Sequence, residues 1–165
     1  MDSKVKYGQE IGPILIKVCK KLLQNESLVM LLNNTDLDPL NKEKHPEKIN
    51  GIQFLHKLVK PVPLIDAEDQ TTRSKVVVMF TDSSIEDNKD NEFLYLGIFV
   101  YCPFKEWLIA GDNLRPYAIM SEIRKSLQDK RINGLGEIIY EGFHVTNLSE
   151  EMASFNMRFY VNAFI

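Results

Sequence analysis

Apolar and polar positions recur along this chain with two different periods, and the changes of period mark its elements. From Gly12-Pro13 onward, Ile14, Leu15, Val18, Leu22 and Leu23 fall at helical spacing with Lys17, Lys20, Lys21 and Gln24 between them, which predicts an amphipathic helix opened by the proline. After Asn25, "ESLVMLLNNT" adds Leu28, Leu31 and Leu32, a short second helix or a bent continuation that ends around Asn33-Asn34. Residues 35 to 50 hold two prolines and little apolar content, so they form a long loop. "GIQFLHKLVKPVPLI" is ambiguous, with a helical turn at 52 to 58 followed by an extended, proline-containing stretch.

The period then shortens. "KVVVMF" at 75 to 80 is β-branched and continuously apolar, "FLYLGIFVYC" at 93 to 102 is aromatic-rich, and the two predict an antiparallel hairpin. "GDNLRPYAIMSEIRKSL" offers Asp112 or Asn113 as N-cap, Pro116 in the first turn, and Ile119, Met120, Ile123 and Leu127 on one face of a second convincing helix. "GEIIYEGFHV" and "SFNMRFYVNAF" follow as two more strands, the last alternating Phe155, Met157, Phe159, Val161 and Ala163 against Asn156, Arg158, Tyr160 and Asn162. The order predicts an α+β fold, with a mainly antiparallel four-stranded sheet of two hairpins and an N-terminal and a central helix packed on one face.

At 165 residues, 44% hydrophobic and 26% charged, the chain fits a single domain spanning 1–165, with a long irregular insertion at about 35–74. Cys19 and Cys102 belong to no paired spacing, which argues against a disulfide framework or a cysteine-based zinc site and sets a reducing compartment as the default. Three N-x-S/T triplets begin at Asn25, Asn33 and Asn147, but the apolar stretch Ile11 to Val18 is short and carries Lys17, so no signal peptide is expected. The longest run without Asp, Glu, Lys or Arg, the twelve residues Phe93 to Phe104, falls short of the ~20 that a spanning helix requires, and no membrane partner is expected. The net charge of −3 is unevenly spread, about +3 over residues 1–60 and about −5 over 61–100, without the basic stripe of a protein that grips duplex DNA.

The acidic concentration lies between the first two strands, in "FTDSSIEDNKDNEF", where Asp82, Glu86, Asp87, Asp90 and Glu92 stand against the single cation Lys89. As a calcium loop counted from Asp82 it puts Asp87 where glycine is required and Phe93 where glutamate is required. As a two-carboxylate catalytic site it offers only Asp82 at a strand end. A solvated hairpin loop over about 82–92, or an electrostatic contact surface, is the better reading. Gly134-Leu-Gly136 is a turn rather than a dinucleotide loop, because the third glycine position holds Ile139. His45, His56 and His144 lack the spacing of a zinc helix, and both cysteines read as small buried hydrophobes. No catalytic, cofactor-binding or metal-binding residue is assigned, so the chain is expected not to be an enzyme and to need no cofactor.

Two residues point to assembly. Trp107, in the connection after Pro103, is either a core-edge aromatic or an interface anchor. Arg115, in the first turn of its helix, opposes the helix dipole, and a partner carboxylate on this chain or the next would explain it. The final strand leaves an edge that assembling proteins use.

The helix "ILIKVCKKLLQNESLVMLL", the long loop, the hairpin, the linker "PFKEWLIAGDNLRPYAIMSEIRKSL" and the closing hairpin "GLGEIIYEGFHVTNLSEEMASFNMRFYVNAF" together resemble the tail terminator and tail-completion proteins of long-tailed bacteriophages, over about residues 10–165. The resemblance implies a virion protein, in the host cytoplasm during assembly, that forms a homo-oligomeric ring, commonly a hexamer, which halts tail-tube polymerisation and joins the tail to the head. Its implied partners are further copies of itself, the tail tube protein and a neck or head-completion protein, with DNA only in passage through a channel. A neck or head-tail adaptor, or another tail-tube-associated protein, is the alternative, and a small metal-dependent enzyme using the acidic loop a more distant one. Candidate interface or channel-facing residues are Asp82, Glu86, Asp87, Asp90, Trp107 and Arg115.

Overall fold

The computed structural model describes residues 7–62, 73–85, 92–132 and 135–163. Three α-helices, α1 (Tyr7–Leu23), α2 (Glu26–Asn33) and α3 (Arg115–Leu127), accompany a five-stranded sheet of β1 (Val59–Lys60), β2 (Lys75–Ile85), β3 (Glu92–Pro103), β6 (Ile138–Leu148) and β7 (Met152–Ala163). A two-stranded ribbon of β4 (Leu108–Ile109) and β5 (Asn113–Leu114) leads into α3. The fold is α+β and mainly antiparallel, as the sequence pattern predicts.

The sheet has five strands rather than the expected four, in the order β1-β2-β3-β7-β6. The extra member, β1, is only two residues long and pairs in parallel with Val76 and Val77 of β2, too short for a period to show. The other ladders are the two expected hairpins, joined by the antiparallel β3–β7 pair, so the final strand β7 lies between β3 and β6 rather than leaving the expected edge.

Alternation decides which face is covered. Leu94, Leu96, Ile98, Val100 and Cys102 of β3 and Ala153, Phe155, Met157, Phe159 and Val161 of β7 are buried against the helices. Ile14, Val18, Cys19 and Leu22 of α1 and Ile119, Met120, Ile123 and Leu127 of α3 complete the same core. On the other face Arg158 lies 4.0 Å from the centroid of the Tyr95 ring and 3.2 Å from Glu141, while Phe93 stacks on Tyr160 at 5.1 Å.

Several boundaries move. Helix α1 begins at Tyr7, so Pro13 lies inside the helix rather than opening it, at the loss of one backbone donor. Strand β2 continues to Ile85 across a register shift between Phe80 and Asp82, which turns Asp82 from a loop residue into an exposed strand residue. Helix α3 has neither Asp112 nor Asn113 as its cap. Leu114 holds that position without a side-chain bond, and Pro116 follows Arg115 in the first turn.

Asn25 caps the N-terminus of α2. Asn25 Oδ1 accepts from Leu28 N at 3.0 Å, and Asn25 Nδ2 donates to Glu122 Oε2 and Ser126 Oγ, both at 3.0 Å, binding α2 to α3. Asn25→Ala is expected to cost about 1–2 kcal/mol, read as a lower urea midpoint with an unchanged m-value. Burial raises the pKa of Glu122, but the bonds from Lys125 and Asn25 outweigh it, and the carboxyl sits below its ordinary 4.5. A folded pKa below the unfolded one gives stability that is present above pH 4.5 and is lost as acid protonates the group. The acid limb of a stability–pH curve should therefore be shallower in Glu122→Gln.

Candidate functional site

The two assembly candidates of the sequence, Trp107 and Arg115, meet at one corner of the molecule. After β3, a 3₁₀ turn (Phe104–Glu106) brings the chain back, the β4–β5 ribbon reverses it, and α3 starts beside Trp107, where Arg115 N donates to Trp107 O at 2.7 Å.

Arg115 is fully buried. Its Nε donates to Glu106 O at 2.7 Å, Nη1 to Leu31 O and Asn34 O at 2.6 Å each, and Nη2 to Asp36 O at 2.6 Å. The expected explanation, a partner carboxylate, is replaced by four backbone carbonyls. Although Arg115 belongs to the first turn of α3, its guanidinium reaches the C-terminal end of α2, where unpaired carbonyls and the negative end of the dipole favour a cation. Arg73 completes this cap, its Nη2 donating to Leu32 O at 3.0 Å and Asn33 O at 2.9 Å. Arg115 therefore offers nothing to a channel or to a neighbouring chain, and its place among the interface candidates is corrected to an internal clamp. Burial lowers its pKa, opposed by the charges of Glu106, Cys102 and Asp36.

Glu106 is buried beside it, with Oε2 accepting from Ser74 N at 2.9 Å and Ser74 Oγ at 2.6 Å. Ser74 Oγ also meets Cys102 Sγ at 3.3 Å. Burial pushes both thiols, Cys19 and Cys102, up to about 12, so neither is primed as a nucleophile.

The same clamp organises the first half of the insertion. Asn34 Nδ2 donates to Pro39 O at 2.8 Å, Lys44 pairs with Asp38 at 3.1 Å, and His45 Nε2 lies 2.8 Å from Asp36 Oδ2, so His45 is held against a carboxylate rather than freely solvated. A cleft of about 320 Å³ lies between this loop and α2, lined by Val29, Met30, Pro46 and Ile49 with Glu26, Lys42 and His45 among its polar rim.

Trp107 is half-buried, its Nε1 donating to Cys102 O at 3.0 Å and its ring 5.3 Å from Phe104, 6.3 Å from Tyr117 and 6.2 Å from the buried Phe155. Tyr117 continues the cluster to Phe143 of β6 at 6.4 Å. From there the surface is apolar and open: Phe143 is 49% exposed, Val145 53%, Leu148 71%, Tyr117 43% and Leu108 67%. Phe104, whose N donates to Glu151 O, closes the patch against the β6–β7 turn. Trp107 is thus the support beneath an exposed apolar corner, a reading between the two that its sequence position allows.

Strand β6 shows why the corner is apolar. Ile138, Tyr140, Phe143, Val145 and Leu148 are separated by steps of two, three, two and three, and register shifts at Tyr140/Gly142 and Val145/Asn147 absorb the odd steps. All five therefore pair with helix-facing residues of β7 and share that face. Gly142, at φ 135°, supplies a backbone conformation at the first bulge that other residues rarely adopt. Ile138 is buried and Tyr140 half-buried, with Arg124 of α3 4.5 Å above the Tyr140 ring, whereas the last three lie beyond the helix layer.

Asp82 is remote from this corner in the chain fold, at the far end of β2, with Oδ1 accepting from Ser83 N at 2.8 Å. Glu86, Asp87 and Asp90 lie outside the described residues. Among the described residues no three His, Cys, Asp or Glu side chains cluster as metal ligands, and no helix is long and apolar enough to cross a membrane.

The most built-up surface among the described residues is thus an apolar corner over an aromatic support, with a buried arginine holding the adjoining segments. The chain belongs to the YomW family, which it matches over residues 25–161. That family name is phage-derived, of the Bacillus SPbeta-like kind, and makes this a phage-associated protein. No curated protein matches the chain.

Proposed function

We propose that this protein is a structural component of a phage particle, not an enzyme, and that it assembles as a ring at the head-proximal end of the tail, where it ends tail-tube growth and joins the tail to the head or neck. The observation that carries an assembly role is the uncovered apolar corner formed by Phe143, Val145, Leu148, Tyr117 and Leu108. Leaving this much large apolar side chain in water is unfavourable, and proteins that expose such a surface use it to bind another macromolecule. The phage-derived family supplies the setting. The sequence-level resemblance to tail terminators supplies the position in the particle, and a neck or head-tail adaptor role follows from the same surface if the ring binds the head side alone.

Purified protein mixed with tail tubes tests the position. Electron microscopy should show added density at one end of each tube and tubes of uniform length. Tubes that grow on unchanged in its presence rule out the terminator role, and binding to head connectors alone selects the adaptor.

A further inference from the structure

We propose that the open edge of β6 is covered by β6 of a second copy of this chain, the two strands pairing antiparallel across a two-fold axis at His144. The contact is isologous and closes at two copies. It does not depend on the ring, which would join such pairs through another surface.

The edge is covered at its start and free beyond it. Ile138 O accepts from Asp129 N at 2.9 Å, Ile138 N donates to Lys130 O at 3.0 Å, and Tyr140 N donates to the Gln128 side chain at 2.8 Å, so the segment 128–131 lies along β6 as far as Tyr140. These bonds also show that the backbone groups of Ile138 and Tyr140 point away from β7. Their partners on β7 are Val161 and Phe159, and β7 runs against β3 without a register shift. The alternation therefore continues through Met157, Phe155 and Ala153 to their own partners, Phe143, Val145 and Leu148, whose backbone N–H and C=O groups also point outward. Nothing among the described residues meets them there, and every residue from Phe143 to Leu148 is exposed.

The same three residues carry the side chains of the apolar corner, so what covers them must offer both an extended backbone and apolar surface, as an added strand does. The free edge is its own complement. Its outward residues, Tyr140, Phe143, Val145 and Leu148, are spaced by three, two and three, a pattern that reads the same from either end with His144 at its middle. An antiparallel copy centred on His144 sets Phe143 opposite the second copy's Val145, and Val145 opposite its Phe143, pairs that exchange both backbone hydrogen bonds. The bulged step from Val145 to Leu148 then faces the bulged step from Phe143 to Tyr140, which keeps the register, and the pairing ends where the covering segment begins.

A two-fold axis perpendicular to the sheet leaves the helices of both copies on one side, so the two apolar corners merge. At roughly 200 Å² for a large side chain, the exposed parts of Phe104, Leu108, Tyr117, Phe143, Val145 and Leu148 amount to about 500–600 Å² per copy. With the polar edge of β6 added, this approaches the ~800 Å² per partner of a standard stable interface.

His144→Cys reads the contact directly. Across the axis position 144 faces itself in a pair without hydrogen bonds, with Cα atoms about 4.5 Å apart, within the range that a disulfide spans. The native Cys19 and Cys102 are buried and do not compete. Under mild oxidation the variant should form a reducible covalent dimer, whereas Ile139→Cys, an exposed position on the covered stretch, should remain a single chain. By light scattering the wild type should have twice the chain mass, and Val145→Pro, which removes only an outward N–H and spares the β7 ladder, should be a monomer with an unchanged thermal midpoint. Should the proline lower the midpoint, Val145→Lys reads the same loss of mass. A wild type that stays monomeric at high concentration overturns the proposal, as does a His144→Cys that cross-links no faster than Ile139→Cys. An oligomer whose mass survives in both Val145 variants also overturns it and belongs to another surface. None of these results decides whether tail tubes are capped, which tests the ring separately.

Discussion

Arg115→Met should lower the unfolding free energy by about 3–5 kcal/mol, the range for breaking a buried charged network by removal of one member. The substitution keeps most of the side-chain volume but leaves the carbonyls of Leu31, Asn34, Asp36 and Glu106 without their donor. It also leaves the buried Glu106 carboxylate without its neighbouring cation. Arg115→Lys should fall close to Arg115→Met, since a single ammonium on a flexible stem cannot reproduce a planar fork reaching three segments of chain. A urea titration of both variants checks this, and a lysine variant within about 1 kcal/mol of wild type would reduce the clamp to a simple buried charge. Pairing Arg115→Met with Glu106→Gln in a double-mutant cycle should give a coupling of about 0.5–3 kcal/mol, because both residues serve one network.

The second large effect belongs to Gly51, at the start of the 3₁₀ turn Gly51–Phe54 that follows the long loop. A Cβ there would overlap the backbone carbonyl oxygen of Leu23, at the end of α1, and press on Val29 of α2. The obstacle is main chain, which cannot rotate away as a side chain does. Gly51→Ala should therefore cost about 3 kcal/mol or more in spite of the few tenths to one that alanine ordinarily gains from a less disordered unfolded chain. Calorimetry should show a midpoint lower by about 6–12 °C. An unchanged midpoint would mean that the turn lifts off the helices without consequence.

Much of the architecture could be read directly from periodicity, because most elements are long enough to show one. Helices α2 and α3 and strands β3 and β7 fall close to their expected places, since each carries at least two turns or several alternations of buried and exposed residues. Strand β1 was not visible, because a two-residue parallel pairing depends on where β2 lies in space rather than on any local pattern. Continuation of β2 past Phe80 was hidden by polar residues, which a strand accepts once one face is solvated.

The candidate site was legible only in part. The dipole mismatch correctly singled out Arg115 as needing an explanation, but the explanation came from a carbonyl cluster about 80 residues earlier in the chain, which no spacing rule reaches. Trp107 was flagged by residue type, and its neighbours Tyr117 and Phe143 were missed as partners. The usable signal for the corner was the interrupted alternation in "IIYEGFHVTNL", where a glycine and two steps of three mark bulges rather than the end of a strand.

Those two bulges also decide how the corner responds to a change in length. Deleting Thr146 or Glu141, the extra residue of either bulge, would restore a regular step of two and keep Phe143, Val145 and Leu148 on the helix-facing side. Deleting His144, which lies between the bulges, would instead turn Val145 and Leu148 to the opposite face while leaving Phe143 in place, without substituting a single core residue. Surface character in this strand is thus encoded by counting, so single-codon deletions are a route by which a chain of this fold can change its binding partner while keeping its interior.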